Sequence, residues 1–175
     1  MIETERLILR PFRDDDCAPF AAINGDPRVG GWLGGPFTRE QSDATVDRIN
    51  AQVAADGFGF YAAEQKADGA LVGMIGIRRN PAGGPAPAAV ELGWRLAVAA
   101  QGTGLATEGA KACLDWGFAN LDVAEILAWT AASNVRSQAV MRRIGMTPDP
   151  SRDFIHTGLP EDHPLRPHVV FAARR

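Results

Sequence analysis

The chain has 175 residues, 46% of them hydrophobic and 22% charged, with a formal net charge of −3. That length and apolar content suit one compact domain, 1–175, with a sizeable core. The acidic balance, with no run of Lys or Arg, argues against nucleic acid as the main partner and leaves cationic small molecules or basic peptides open.

The opening MIETERLILR carries charges from its third residue. It does not read as a signal peptide, and no later stretch approaches ~18 uninterrupted apolar residues, so a cytoplasmic protein with no membrane partner is expected. Within ERLILRPF, Leu7 and Leu9 alternate against Arg6, Ile8 and Arg10, which predicts a first strand with one clearly apolar face. Asp14, Asp15 and Asp16 then open a helix whose acidic first turn suits the helix dipole. Asp26-Pro27, Gly30-Gly31 and Gly34-Gly35-Pro36 break the next passage. Thr38 and Gln41 form a capping box for a helix that turns Val46, Ile49 and Val53 inward and stops at Gly57. FGFYAAEQ and ALVGMIGIRR read as two strands joined by a hairpin turn at Lys66 to Gly69. The Pro/Gly/Ala stretch from Asn80 to Ala89 reads as a surface loop before the strand VELGWRL.

In AAQGTGLATEGAKACLDWGF, Ala106, Ala110, Cys113, Leu114, Gly117 and Phe118 recur at helical spacing and predict a buried face. Gly102, Gly104 and Gly109 stand in or around the head of that helix, where glycine costs ~1 kcal/mol against alanine. Two readings are open. The glycines make a tight strand-to-helix turn, or they let backbone N–H groups at the positive end of the dipole approach an anion. A dinucleotide fingerprint fails because Thr107 occupies its third glycine position, and a P-loop fails because Ala110, not Lys, follows Gly109. A strand around EILAWT follows. A short helix from Ser133 to Ile144 is then predicted, with Asn134 or Ser133 as its cap and Asn134 and Ser137 on one side of its start. The chain closes on HVVFA. Cys17 and Cys113 are expected as free thiols, and His156, His163 and His168 lack the spacing of a metal site. The element order β-α-α-β-β-β-α-β-α-β-β calls for an α/β fold, a central mixed sheet with helices on both faces.

Gln101, Gly104 and Ala106 form the pattern Q-x-x-G-x-A, and the later segment reads N-x-x-S-x-x-V-M-x-x-I-G-M. Together they resemble the two cofactor-binding segments of the GNAT superfamily of acetyl-CoA-dependent N-acetyltransferases. ETERLILRPF, DPRV, VELGWRL and the ending HPLRPHVVF are similar to its RimJ/RimL-like branch. The resemblance implies a splayed sheet of the acyl-CoA N-acyltransferase type and acetyl-CoA as co-substrate, with no metal. It also implies a primary amine as acceptor, either a protein or peptide N-terminus or a small amine. Backbone groups of Leu96 and Val98 would pair with pantetheine. The N–H groups of Gln101, Gly102, Thr103, Gly104, Leu105 and Ala106, with the Thr107 hydroxyl, would hold the pyrophosphate. Glu91 would act as base on the acceptor ammonium, and Ser137, aided by Asn134, would stabilise the departing thiolate. The sequence departs from much of the superfamily, where a tyrosine is often the acid for that thiolate, so either the Ser137 hydroxyl serves or the thiolate leaves with solvent help. Its one tyrosine, Tyr61, lies on an early strand, and Phe171 stands where branch members often have tyrosine.

On residues alone, Glu91 reads equally as a solvated strand glutamate, and Asn134 and Ser137 as ordinary helix-start residues. A catalytically silent acyl-CoA sensor and a nucleotide-binding domain are the competing readings, and a homodimer is left open. Acceptor recognition is expected from the Asp26–Phe37 passage, where Trp32 and Phe37 read as a pocket wall or as core packing, from the Asn80–Ala89 loop, and from the Asp153–His168 tail, where Asp153, Glu161 and Asp162 read first as a solvated acidic loop and second as an attraction for a cationic amine.

Overall fold

A computed structural model describes residues 1–80, 86 and 89–175. Most of the Asn80–Ala89 loop expected to take part in recognition therefore lies outside the described residues. Its base is tied by Asn80 N–H to Ala89 O at 2.8 Å and by Asn80 Nδ2 to Ala86 O at 3.0 Å.

The elements are β1 (Ile2–Glu3), β2 (Leu7–Arg10), α1 (Cys17–Gly25), α2 (Pro27–Gly30), α3 (Arg39–Asp56), β3 (Phe60–Gln65), β4 (Leu71–Arg79), β5 (Val90–Leu96), α4 (Leu105–Asn120), β6 (Glu125–Ala131), α5 (Val135–Arg143), β7 (Thr147–Pro148), β8 (Phe154–Ile155) and β9 (Pro167–Arg174). Among the described residues the strands form one mixed sheet in the order β1-β2-β3-β4-β5-β6-β9-β7, with β8 on β9. Every pairing is antiparallel except β5 with β6, and that pairing is confined to Glu91 opposite Leu127. Beyond Glu91 the two strands part, and the sheet is splayed.

Helices cover both faces. On one, Phe20, Ile23, Val46 and Ile49 of α1 and α3 pack with Phe60, Ala62 and Met74 of the sheet. On the other, Leu105, Ala110, Cys113 and Leu114 of α4 pack with Leu7, Leu9, Ile75, Ile77, Val90 and Leu92. Full burial of each such Leu or Ile contributes about 1.5–3 kcal/mol. The α3 capping box forms as predicted, with Thr38 Oγ1 accepting from Gln41 N–H and Gln41 Oε1 accepting from Thr38 N–H.

Two local readings change. Gly109 belongs to the packed face of α4, not to an open helix head: a Cβ there would stand 2.6 Å from Ile75 Cδ1. It serves close approach of helix to sheet. Arg10, expected on the polar side of its strand, is only 6% exposed and donates to Asp16 Oδ2 at 2.6 Å and to Glu64 Oε2 at 2.7 Å. Burial pushes the Asp16 carboxyl up, but hydrogen bonds from Arg10 and the Arg13 N–H more than offset this and hold it below the usual range.

Candidate active site

The parting of β5 and β6 opens a cleft of about 1140 Å³ between the α1–α3 side of the sheet and α5. Glu91, Leu96, Gln101, Gly102, Ala106, Asn134 and Ser137 all line it. Trp32 and Phe37 form part of its wall, as the sequence suggested. Thr103 and Leu105 face a separate hollow of about 690 Å³ behind the loop, while Val98, Gly104 and Thr107 line neither. Asp153, Glu161 and Asp162 are exposed and do not reach the cleft. Asp153 Oδ1 instead accepts from Val170 N–H, so its carboxylate ties the tail to β9. The tail residues that do face the cleft are His156, Leu159 and His168.

The period-2 alternation of β5 sorts its side chains. Val90, Leu92 and Leu96 join the α4-side core, with Trp94 packed against it, whereas Glu91, Gly93 and Arg95 face α1–α3. Glu91 is not a solvated strand residue: it is 9% exposed and paired with Arg78, its cross-strand neighbour on β4. Burial pushes its carboxyl up, and Arg78 opposes that shift without cancelling it. Tyr61 is 3% exposed in the α4-side core and does not line the cleft, and Phe171 lies buried under the Arg142 guanidinium.

At the far end of β5, Ala97 N–H donates to Val72 O at 2.9 Å. By the alternation of an antiparallel ladder, the backbone groups of Leu96 then point the other way, toward the gap beside β6. Leu96 O accepts from Gln101 Nε2 at 3.1 Å. Val98 does not continue the strand; it begins a 3₁₀ turn, Val98–Ala100, and its carbonyl accepts from Gln101 N–H. The expectation that the Gln101 N–H is open is corrected accordingly. Available donors begin at Gly102. The first hydrogen bond of α4 is Glu108 N–H to Gly104 O, and among the described residues no acceptor meets the N–H groups of residues 102–107.

Gly102 and Gly104 have φ of +78° and +90°, the left-handed region that favours glycine. The loop they shape is strapped to the N-terminus: Arg6 Nη1 donates to Thr103 O at 3.0 Å, and Glu108 accepts from Thr4 Oγ1, Arg6 N–H and Arg6 Nε at 2.6, 2.8 and 2.7 Å. Across the cleft, Asn134 caps α5 by accepting from Ser137 N–H at 3.2 Å. Ser137 Oγ has no partner among the described residues. Arg136 and Arg143 of α5 also line the cleft without ion pairs among the described residues. Neither arginine stands out in the sequence as a ligand group, and Arg143 there suggests only a complement to the helix dipole; their separation of two helical turns was the available signal.

Strand edge, loop and capped helix together suit an anionic, extended cofactor. Unpaired N–H groups at a helix head and two guanidinium groups facing the cleft complement phosphates, and the open edge at Leu96 complements an amide-bearing chain. Among the described residues no cluster of His, Cys, Asp or Glu could hold a metal ion, and no helix is long and apolar enough to cross a membrane.

The chain matches the family described as "Acetyltransferase (GNAT) domain" over residues 6–147. It is 31% identical to YkkB of Bacillus subtilis over 144 residues, 82% of this chain and 83% of YkkB. Among solved structures, an acetyltransferase from Agrobacterium tumefaciens superposes with a TM-score of 0.81 at 29% identity, covering 99% of this chain and 94% of that one. The spermidine N-acetyltransferase of Vibrio cholerae, solved in complex with CoA and spermine, shares the fold with a TM-score of 0.74 at 15% identity, covering 96% and 95% of the two chains.

Proposed function

Because this chain belongs to the GNAT acetyltransferase family, whose members transfer acetyl groups from acetyl-CoA, we propose that it is an N-acetyltransferase acting on a primary amine by direct attack in a ternary complex. The observation that carries the reading is that Glu91 and Ser137 line one cleft whose remaining wall includes the head of the glycine loop. Acetyl-CoA, when bound, supplies an activated acetyl thioester and a string of anionic phosphates.

The chain's own groups divide the remaining work. N–H groups from Gly102 onward, with Arg136 and Arg143, hold the phosphates, and the Leu96 edge aligns the pantetheine arm. Glu91 takes the proton from the acceptor ammonium, directly or through water. Its Oε2 is engaged by Arg78, and its Oε1 has no partner among the described residues, so Oε1 is the basic atom. Burial raises its basicity toward that of the amine it must serve. Ser137 Oγ–H donates on the cofactor side, where negative charge builds on the departing sulfur, a role in which a tyrosine often serves in the family. The RimJ/RimL-like placement belongs to this proposal and rests on the opening, on VELGWRL and on the tail.

An amine panel assayed for CoA release tests the reading. Turnover with at least one primary amine, strongly reduced in Glu91→Gln, is expected. Binding of acetyl-CoA without release on any amine would identify a silent acyl-CoA sensor instead.

A further inference from the structure

Arg95 is a buried cation whose surroundings among the described residues do not account for it. It sits on the acceptor face of β5, two positions beyond Gly93 and four beyond Glu91, and it lines the cleft. Its guanidinium has no carboxylate partner among the described residues. Nη1 donates to Asn24 Oδ1 at 2.7 Å, Nε is buried with no acceptor, and Nη2 has no acceptor among the described residues. The Phe20 and Phe37 rings lie 5.9 and 5.3 Å from it. Burial alone lowers its pKa to about 10, the mark of a cation without a counter-charge.

The position is built, not incidental. Asn24 and Ser42 are both 0% exposed, and Asn24 Nδ2 donates to Ser42 Oγ at 2.8 Å, which fixes the amide so that its oxygen meets Arg95. A held, stacked guanidinium with one free edge is pre-organised for a planar anion. The rest of the wall agrees in sign: among the described residues Glu91 is the one acid lining the cleft, and Arg48 lines the acceptor side with only a Thr45 hydroxyl as partner. Gly93 lets the Phe60 ring lie against the strand between Glu91 and Arg95, its carbons 3.0 Å from where a Cβ would stand, so an apolar ring floors the ~13 Å of strand between the two backbone positions.

We infer that Arg95 is a specificity-determining residue, and that the acceptor is a small primary amine carrying a carboxylate, its amine served by Glu91 and its carboxylate accepting from Arg95. The inference rests on the acetyl-transfer reading and narrows it. Asp153, Glu161 and Asp162, the acids that would draw a cationic acceptor, lie outside the cleft.

Matched acceptors test it: 4-aminobutanoate, its amide and butylamine, and likewise leucine, leucinamide and isopentylamine, assayed for CoA release at saturating acetyl-CoA. Losing a charge-assisted pair should lower kcat/KM about tenfold to a hundredfold from acid to amide in the wild type. Arg95→Gln should bring the acid-to-amide ratio near unity without changing acetyl-CoA affinity, and Arg95→Lys should restore part of it. A merely structural clamp between β5 and α1 would leave the ratio unmoved. Amides or simple amines matching the acids in the wild type would overturn the inference, and that comparison needs no variant to fold. If no amine in either series turns over, the thermal midpoint of the CoA-saturated protein decides: stabilisation by the acids and not the amides, lost in Arg95→Gln, keeps the carboxylate site and removes acetyl transfer. The absence of any acid-selective stabilisation would remove both.

Discussion

Glu91 and Arg78 meet across β4 and β5 through one oxygen: Glu91 Oε2 accepts from Arg78 Nε at 2.9 Å and lies 2.8 Å from Nη2. The pair orients the carboxylate without neutralising both of its oxygens. The carboxyl, pushed up by burial, is protonated at low pH and becomes a base only above the ordinary carboxylate range. Activity should therefore rise with pH along a limb displaced upward. Glu91→Gln should cut kcat/KM roughly ten- to a thousandfold, lack that limb, and recover partly as free amine accumulates.

The same shift has a stability sign. A carboxyl whose folded pKa is raised favours folding in its protonated form, and the contribution is lost as pH rises through the folded value. Glu91→Gln, neutral at every pH, should unfold at pH 7 no lower in temperature than the wild type. A clear drop in midpoint would show that the Arg78 pair outweighs the desolvation of Glu91.

On the cofactor side, Ser137→Ala should lower turnover while leaving acetyl-CoA affinity nearly constant, since charge on sulfur develops mainly in the transition state. Asn134→Ala should act differently. Its side-chain oxygen caps α5, so the variant should lose about 1 kcal/mol of stability, whereas Asn134→Asp should keep the cap. Calorimetry with acetyl-CoA beside denaturant melts separates the two roles.

Arg136 and Arg143 are exposed cations facing the cleft. Replacing both with glutamine should weaken acetyl-CoA binding roughly three- to thirtyfold, most at low ionic strength, with the melting curve unchanged. Equal affinity at low and high salt in the wild type would remove them from phosphate binding.

Arg10→Met should cost roughly 3–5 kcal/mol, because Asp16 would be left buried without its partner. The Asp16 carboxyl lies below its ordinary 3.8 in the folded state. The stability it brings is present above that ordinary value and is lost as pH falls through the folded one. Acid denaturation of the wild type should steepen there, and Arg10→Met should flatten it.

Local grammar carries much of this fold into view. The Thr38–Gln41 box, the Lys66–Gly69 turn and the alternation of VELGWRL are complete within a few residues, so each can be read in place. β1, β7 and β8 span two residues each, too few to show a period, and their existence depends on the neighbours they pair with. The cleft divides in the same way. Glu91, Ser137 and the glycine loop carry spacing signals, but Arg95 acquires its meaning from Asn24, 71 residues earlier in the chain, and Arg10 from Glu64. Gly109 misleads because a glycine at a helix head and one pressed against a sheet look alike until Ile75 is placed beside it.

The odd- and even-numbered positions of β5 answer to different neighbours: Val90, Leu92, Trp94 and Leu96 to the α4 side, and Glu91, Gly93 and Arg95 to the α1–α3 side. One strand thereby carries two independently adjustable inheritances. A lineage could exchange the acceptor it serves by changing Arg95 and the facing Phe37 while Glu91 keeps its chemistry and the grip on the donor stays intact, and a laboratory library confined to those two positions would explore new acceptors from a constant scaffold.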